Sequence, residues 1–264
     1  MSRTRRVGTS VRTGPLMPGE LWIALLAGLA GGSVNAAAGG AKLFVFPLLL
    51  AMGLSPLAAN ATGTVALWAG QAPAAWVYRR ELRAEATRLV RSMAPALVGA
   101  PCGALALVFS SERAFVAVIP LLLALAVGAI LLGERARGIV VGLVPSARLP
   151  AVTGALLFAT GFYGGYFGAG LGFMVLAVLG IAGVDELQRA NAIKLATVLG
   201  INTVAVVPLA LSGLVVWSAA VGVLVGALAG GYLGARLARR LPERPLRWIV
   251  VALGVVLTVS FLVR

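Results

Sequence analysis

"GFYGGYFGAGLGF", Gly161 to Phe173, is the stretch on which the fold turns. Six of its thirteen residues are glycine, and it lies between apolar runs. Glycine inside a helix costs about 1 kcal/mol relative to alanine. Irregular backbone at bilayer depth persists only where protein or a water-filled cavity satisfies its polar groups. The stretch is therefore either an interruption in a membrane-embedded helix or a surface for close helix packing. Gly161/Gly165, Gly164/Gly168 and Gly168/Gly172 all have small-xxx-small spacing, which fits packing.

The surroundings are those of a membrane protein. Apolar residues make up 60% of the 264 positions, and the mean hydropathy is +1.01. A soluble chain of this length could not bury so much apolar surface. Charges fall in short clusters between apolar runs of about 20 residues, the length that crosses a bilayer. The expected fold class is an all-α polytopic integral membrane protein, with the lipid bilayer as its partner. The net charge of +14 does not indicate nucleic acid, because the arginines stand at the ends of apolar runs, where they set topology. There is no histidine and a single cysteine, Cys102. This excludes a disulfide within the chain, and neither a metal site nor a cofactor is expected. Cys102, in a Gly/Ala-rich span, reads as a packing residue.

Distant segments repeat at one spacing. "GAPCGA" (Gly99–Ala104) and "GGYLGA" (Gly230–Ala235) start 131 residues apart. "SERAF" at Ser111 and "PERPL" at Pro242 share that offset, as do the two "ANA" triplets at Ala59 and Ala190. Gly31-Gly32 pairs with Gly164-Gly165 at 133, which places a two-residue length difference before "ANA". The reading is a basic amino-terminal tail over 1–19, membrane repeat 1 over 20–133, a basic cytoplasmic linker over 134–149 and membrane repeat 2 over 150–264. The first apolar run follows Arg3, Arg5, Arg6 and Arg12 and imitates a secretory signal. Its counterpart in mid-chain marks it as structural.

Each repeat divides into five elements. They are expected near 20–35, 40–53, 58–78, 90–110 and 114–132, then 150–166, 170–183, 189–212, 216–238 and 246–263. The first two form a broken or re-entrant hairpin, because the second is too short to span. The other three cross. Three crossings make the repeats inverted, and the loop charges agree. Arg79, Arg80, Arg83, Arg88 and Arg91 follow element three in repeat 1, while the counterpart near "LSGLVV" has no charge. One loop further on, repeat 1 has only Arg113, while repeat 2 has Arg236, Arg239, Arg240, Arg244 and Arg247. With Arg135, Arg137 and Arg148 of the linker, the basic loops all fall on the cytoplasmic side. At the amino terminus two criteria oppose each other: the tail arginines favour the cytoplasm, and the hairpin count favours the outside.

Broken helices expose N–H groups that bind anions, and transporters place such breaks at matching positions of two repeats. "NAAAGGAK" (Asn35–Lys42) and "GGYFGAGLG" (Gly164–Gly172) are so placed. Asn35, Gly39, Gly40 and Lys42 from the first, with Gly168, Gly170 and Gly172 from the second, are candidate substrate-binding residues. Asn60, Thr64 and Gln71 share one face of element three. Asn191 and Asn202 stand 131 residues beyond Asn60 and Gln71, and Lys194 joins their face. These also are candidates, with interhelical hydrogen bonding as the competing role. Lys42 and Lys194 are the only lysines; a charge within a span marks a pathway or ligand unless it snorkels to the interface. All eight acids, Glu20, Glu81, Glu85, Glu112, Glu134, Asp185, Glu186 and Glu243, fall in loops or at span ends. That disfavours a cation site and a carboxylate proton relay, and leaves an interior suited to a small anion. It also leaves no catalytic constellation, so no enzyme is expected. By contrast, Gly99, Gly103, Gly226, Gly230 and Gly234 read as packing positions.

Two long segments resemble the TauE/SafE (TSUP) family of sulfite and organosulfonate exporters. They are "AGGAKLFVFPLLLAMGLSPLAANATGTVAL" followed by "YRREL", and "YGGYFGAGLGFMVLAVLGI" followed by "RANAIK" and "SGLVVW". The resemblance implies a multi-pass inner-membrane transporter that exports small sulfur-containing anions by alternating access. A passive anion channel, or a membrane scaffold, stays open as an alternative. The exposed small-residue faces also allow a homodimer.

Overall fold

A computed structural model describes residues 18–37, 39–84, 86–184, 186–238 and 243–263. The tail arginines, Glu85, Asp185, Arg239, Arg240 and Pro242 lie outside the described residues. The described chain is helical, with eleven α-helices: α1 Pro18–Ala37, α2 Lys42–Ala51, α3 Pro56–Val77, α4 Arg79–Ala84, α5 Ala86–Val108, α6 Glu112–Leu143, α7 Leu149–Tyr166, α8 Leu171–Ile181, α9 Leu187–Leu211, α10 Trp217–Ala238 and α11 Glu243–Leu262. A 3-10 turn, Ser146–Arg148, precedes α7. The ten expected elements all appear, and α4 is an addition.

Local chemistry accounts for several boundaries. Ser55 accepts from the Ala58 amide and Pro56 opens α3, a side-chain cap followed by a residue whose fixed φ suits the first turn. The Glu112 carboxylate accepts from Ser55 Oγ and from the Leu57 amide, each at 3.1 Å, and so ties the start of α3 to the start of α6. At the two breaks the chain leaves the helix in the same way. Gly39 donates to Val34 O at 3.1 Å, and Gly168 donates to Tyr163 O at 2.9 Å. Both glycines have positive φ, 85° and 75°. This is the left-handed closure that caps orphan carbonyls at a helix end and that glycine adopts without steric cost. The far ends of α2 and α8 close alike, with Leu54 donating to Leu49 O and Val184 to Leu179 O.

Three helices are long and apolar enough to cross a bilayer unaided: Glu112–Gly133, Gln188–Leu211 and Trp217–Leu237. The pair Arg135–Leu143 and Ser146–Tyr166, bent by 112°, is a fourth candidate. The sequence reading assigns six crossings. The rest fall below that standard for identifiable reasons: α3 carries Asn60, Thr62, Thr64 and Gln71, and α5 opens with Arg88 and Arg91. The linker is also less loop-like than expected, because α6 continues through it as far as Leu143.

Packing pairs the repeats crosswise. α1 lies along α10 and α7 along α5; α3 meets α10 and α9 meets α5; α2 meets α11 and α8 meets α6. Every one of these contacts has a counterpart with the repeats exchanged, and α3 with α9 and α6 with α11 cross between the repeats. Glycines allow the closest approaches: a Cβ at Gly226 would lie 2.0 Å from Leu25 O, and one at Gly161 would lie 2.0 Å from Ala96 O. The matching contact for Gly161 is Gly32 against Ala227 O. Gly32 and Gly161 are 129 residues apart, as are Gly39 and Gly168. The hairpin register is therefore 129, not the expected 133. Repeat 2 is thus two residues longer than repeat 1 between its break and the 131-residue register of α3 and α9, and one of the two is helical, since α2 has 10 residues and α8 has 11. Cys102 is exposed on the outer face of α5, not packed as expected.

Candidate functional site

The glycine-rich stretch divides its work. Gly161 and Gly165 pack α7 against the α5 backbone, and the interruption proper occupies Phe167 to Gly170. It meets its counterpart directly. The Gly172 amide donates to Gly39 O at 3.3 Å, and a Cβ on Gly39 would lie 2.4 Å from Gly172 Cα. Gly40 rests on Val250 and Gly170 on Ala126. The two chain interruptions thus touch at the centre of the molecule.

An ammonium bridges them. Lys42 Nζ, at the first turn of α2, donates to Asn60 Oδ1 at 2.8 Å, to Thr64 Oγ1 and to Phe167 O. Three acceptors match the three protons of an ammonium. Asn60 Nδ2 in turn donates to Tyr166 O at 2.8 Å. The last carbonyls of α7 are therefore capped by side chains of repeat 1, and a cation there also suits the negative end of the helix dipole. Lys42 is 5% exposed and Lys194 1%, so neither snorkels. Lys194 Nζ donates to Asn191 Oδ1 at 2.9 Å. Asn60 and Asn191 are matched positions, so each repeat gives its asparagine an ammonium, drawn from a different element. The Phe167 ring is fully buried against Phe46, Phe115 and Tyr163, which anchors the break.

Beside the bridge lies a cavity of about 20 Å³. Its polar lining is Asn35 of α1, Lys42 of α2, Thr64 and Gln71 of α3, Gly168 of the break and Asn202 of α9. Leu67, Leu171 and Val198 form its apolar wall. Gln71 Oε1 is buried with no hydrogen-bond partner, and the amides of Asn35 and Asn202 have none among the described residues. An unpaired buried polar atom is costly, and Gln71 Oε1 is one; Asn35, which is half-buried, and Asn202 bring two further amides without protein partners to the same hollow. No described carboxylate lines it.

Six of the thirteen sequence candidates line this cavity: Asn35, Lys42, Thr64, Gln71, Gly168 and Asn202. Asn60 stands behind Lys42. Gly39, Gly40, Gly170 and Gly172 shape the meeting of the breaks, and Asn191 and Lys194 pair with each other away from the lining. Sequence reasoning missed Leu67 and Val198, although they also stand 131 residues apart. It also missed the Tyr166 and Phe167 carbonyls, which any helix stopping inside a membrane leaves in need of donors. Two larger clefts, of about 700 and 580 Å³, open at the molecular surface away from the breaks.

Neither a curated protein nor a solved structure matches the chain. The family described as "Sulfite exporter TauE/SafE" matches residues 24–261, nearly the whole length and both interrupted hairpins. On that match the chain belongs to the TauE/SafE sulfite exporter family, and it is a membrane transport protein of the class that handles sulfur anions.

Proposed function

We propose that the protein is a secondary transporter that exports sulfite, an organosulfonate or a similar small oxyanion across the cell inner membrane. The observation that carries the reading is the small polar cavity where the two breaks meet, with three amides that have no protein partner beside a buried ammonium. In this reading Asn35, Gln71 and Asn202 donate amide N–H groups to the oxyanion. Lys42 supplies positive charge, because its three protons are already committed to Asn60, Thr64 and Phe167. Lys194, held by Asn191, adds positive potential from further along the same face of α9. The four glycines at the breaks let the two hairpins approach.

A hollow of about 20 Å³ is of the order needed for one water molecule, whereas sulfite has four heavy atoms. Substrate must therefore widen it, and in this reading widening means moving one hairpin relative to the other. That requirement favours a carrier with alternating access over a standing pore. Inverted repeats would supply the two equivalent openings, and the crosswise helix pairing supports that arrangement.

The test is thermal-shift screening of purified protein against sulfite, methanesulfonate, sulfate and acetate, followed by counterflow of the best ligand in liposomes. Saturable counterflow that is lost in Gln71→Leu and Asn202→Leu is expected. Conductance without saturation would point to a channel. Full transport in both variants would remove the cavity from the pathway.

A further inference from the structure

We infer that the cleft between the ends of α3 and α10 is a binding site for an anionic phospholipid, separate from the central cavity. The cleft is about 700 Å³ and is lined by Trp76, Val77 and Arg79 on one side and by Tyr232, Leu233, Arg236 and Leu237 on the other. Two guanidiniums sit at its mouth, each laid on an aromatic ring. Arg79 Cζ is 4.9 Å from the Trp76 ring centre, and Arg236 Cζ is 4.3 Å from that of Tyr232. Arg79 also donates to Trp76 O at 3.0 Å, so its orientation is fixed. Among the described residues neither guanidinium is paired with a carboxylate.

Below the arginines the walls are apolar and open outward: Trp76 is 64% exposed, Leu233 56% and Leu237 54%. In a membrane-spanning chain those faces meet acyl chains. Both arginines belong to the basic clusters that the charge pattern assigns to the cytoplasmic side, where anionic lipids are recognised by basic pockets between helices. Arginine suits the partner, because its planar fork matches a phosphate in two contacts and stacks on aromatic faces. A headgroup phosphate between the guanidiniums, with its acyl chains along Trp76, Leu233 and Leu237, uses every feature of the cleft. A free inorganic anion would leave the apolar wall unused, and a second copy of this chain, with a net charge of +14, is a poor match for two arginines. The occupant also has a structural consequence. α3 carries Gln71 and α10 packs on α1, which carries Asn35, so a lipid clasping α3 to α10 braces two walls of the central cavity.

The experiment compares the wild type with the double variant Arg79→Gln/Arg236→Gln in nanodiscs and by native mass spectrometry. Probes are phosphatidylglycerol, phosphatidylcholine, and inorganic phosphate with sulfite. A control double variant, Arg113→Gln/Arg148→Gln, removes the same charge from exposed positions outside the cleft. Retention of phosphatidylglycerol by the wild type and the control is expected, with about a 30-fold weaker affinity in the cleft variant, the equivalent of about 1 kcal/mol for each arginine. Phosphatidylcholine and the inorganic anions should not compete. Equal binding of the two lipids would overturn the assignment, as would competition by sulfite or phosphate, or equal losses in the cleft and control variants. The readout is lipid retention, so it stands whether or not the central cavity carries the transported anion.

Discussion

Replacing Lys42 with methionine tests whether the ammonium holds the two interrupted hairpins together. Methionine keeps most of the volume and removes three hydrogen bonds. Thr64 Oγ1 still donates to Asn60 O at 2.9 Å, but Asn60 Oδ1 and Phe167 O are left as buried orphans. Each orphaned acceptor costs about 1–3 kcal/mol, which gives about 4 kcal/mol for the pair. Relief from burying a charge offsets part of this, and the net destabilisation should be about 3 kcal/mol. A neutral interhelical hydrogen bond in a membrane averages only about 0.6 kcal/mol, so the two descriptions differ by more than the error of the measurement. The assay is reversible unfolding by SDS in mixed micelles, followed by tryptophan fluorescence. Thr64→Val supplies the cycle. Alone it leaves one ammonium proton unsatisfied, and in the Lys42→Met background it removes only the bond to Asn60 O, which it removes in the wild type as well. A coupling energy of about 1–2 kcal/mol is expected. A loss below about 1 kcal/mol for Lys42→Met, or strict additivity of the two changes, would show that the bridge does not hold the breaks together.

Other substitutions separate binding from folding. Gln71→Leu removes an acceptor that has no partner, so it should leave stability unchanged or raise it by up to about 1 kcal/mol, while thermal stabilisation by the anion is lost. Stability falling together with binding would mean that Gln71 has a structural role. Gly39 and Gly53 have nearly the same φ, 85° and 84°, but different surroundings. A Cβ at Gly53 meets nothing within 4 Å, whereas one at Gly39 falls 2.4 Å from Gly172. Gly53→Ala should therefore cost about 1–2 kcal/mol, the left-handed penalty alone. Gly39→Ala should cost at least twice that and abolish anion binding in a thermal-shift titration; equal costs would show that the breaks do not need to touch. Glu112→Gln should weaken the tie between α3 and α6 by about 1 kcal/mol, seen as a lower SDS midpoint with unchanged anion affinity.

Much of this arrangement was readable because membrane chains state their constraints locally. A bilayer allows irregular backbone only where something satisfies it, so Gly168 and Gly39 stand out among many packing glycines once the short elements after them are noticed. The matched amides were readable for a similar reason: an offset of 131 residues joins Gln71 to Asn202, and both reach one cavity. What could not be read was which group each polar residue would meet. Lys42 lies next to a glycine cluster in sequence, yet its acceptors are 18, 22 and 125 residues away. The hairpin register failed because Gly31-Gly32 and Gly164-Gly165 are alike in sequence but sit at different heights on α1 and α7. Only the backbone contacts with α10 and α5 reveal the true pairing. Hydropathy failed at α3 for the opposite reason, since the residues that line the site lower the average that identifies a span.

The polar framework is less symmetric than the backbone that carries it, and this asymmetry follows from side-chain size. The position matching Lys42 at the register of the breaks is Leu171, and the position matching Lys194 is Gly63. Gly63 faces the Lys42 stem: a Cβ there would lie 3.9 Å from Lys42 Cε. Repeat 1 therefore opens space on α3 and fills it from the hairpin, while repeat 2 fills the same space from α9 itself. The two ammonium groups therefore ride on different parts of the molecule. Lys42 starts from the short helix after the first break and fastens the opposite repeat's broken helix, whereas Lys194 starts from the long helix α9, which also carries its acceptor Asn191. If the hairpins move during transport, Lys42 moves with one of them and Lys194 does not. Motion of the first hairpin would then break the bonds to Asn60 and Thr64, or carry α3 with it, a cost that motion of the second hairpin, with Leu171 at the matching position, does not share.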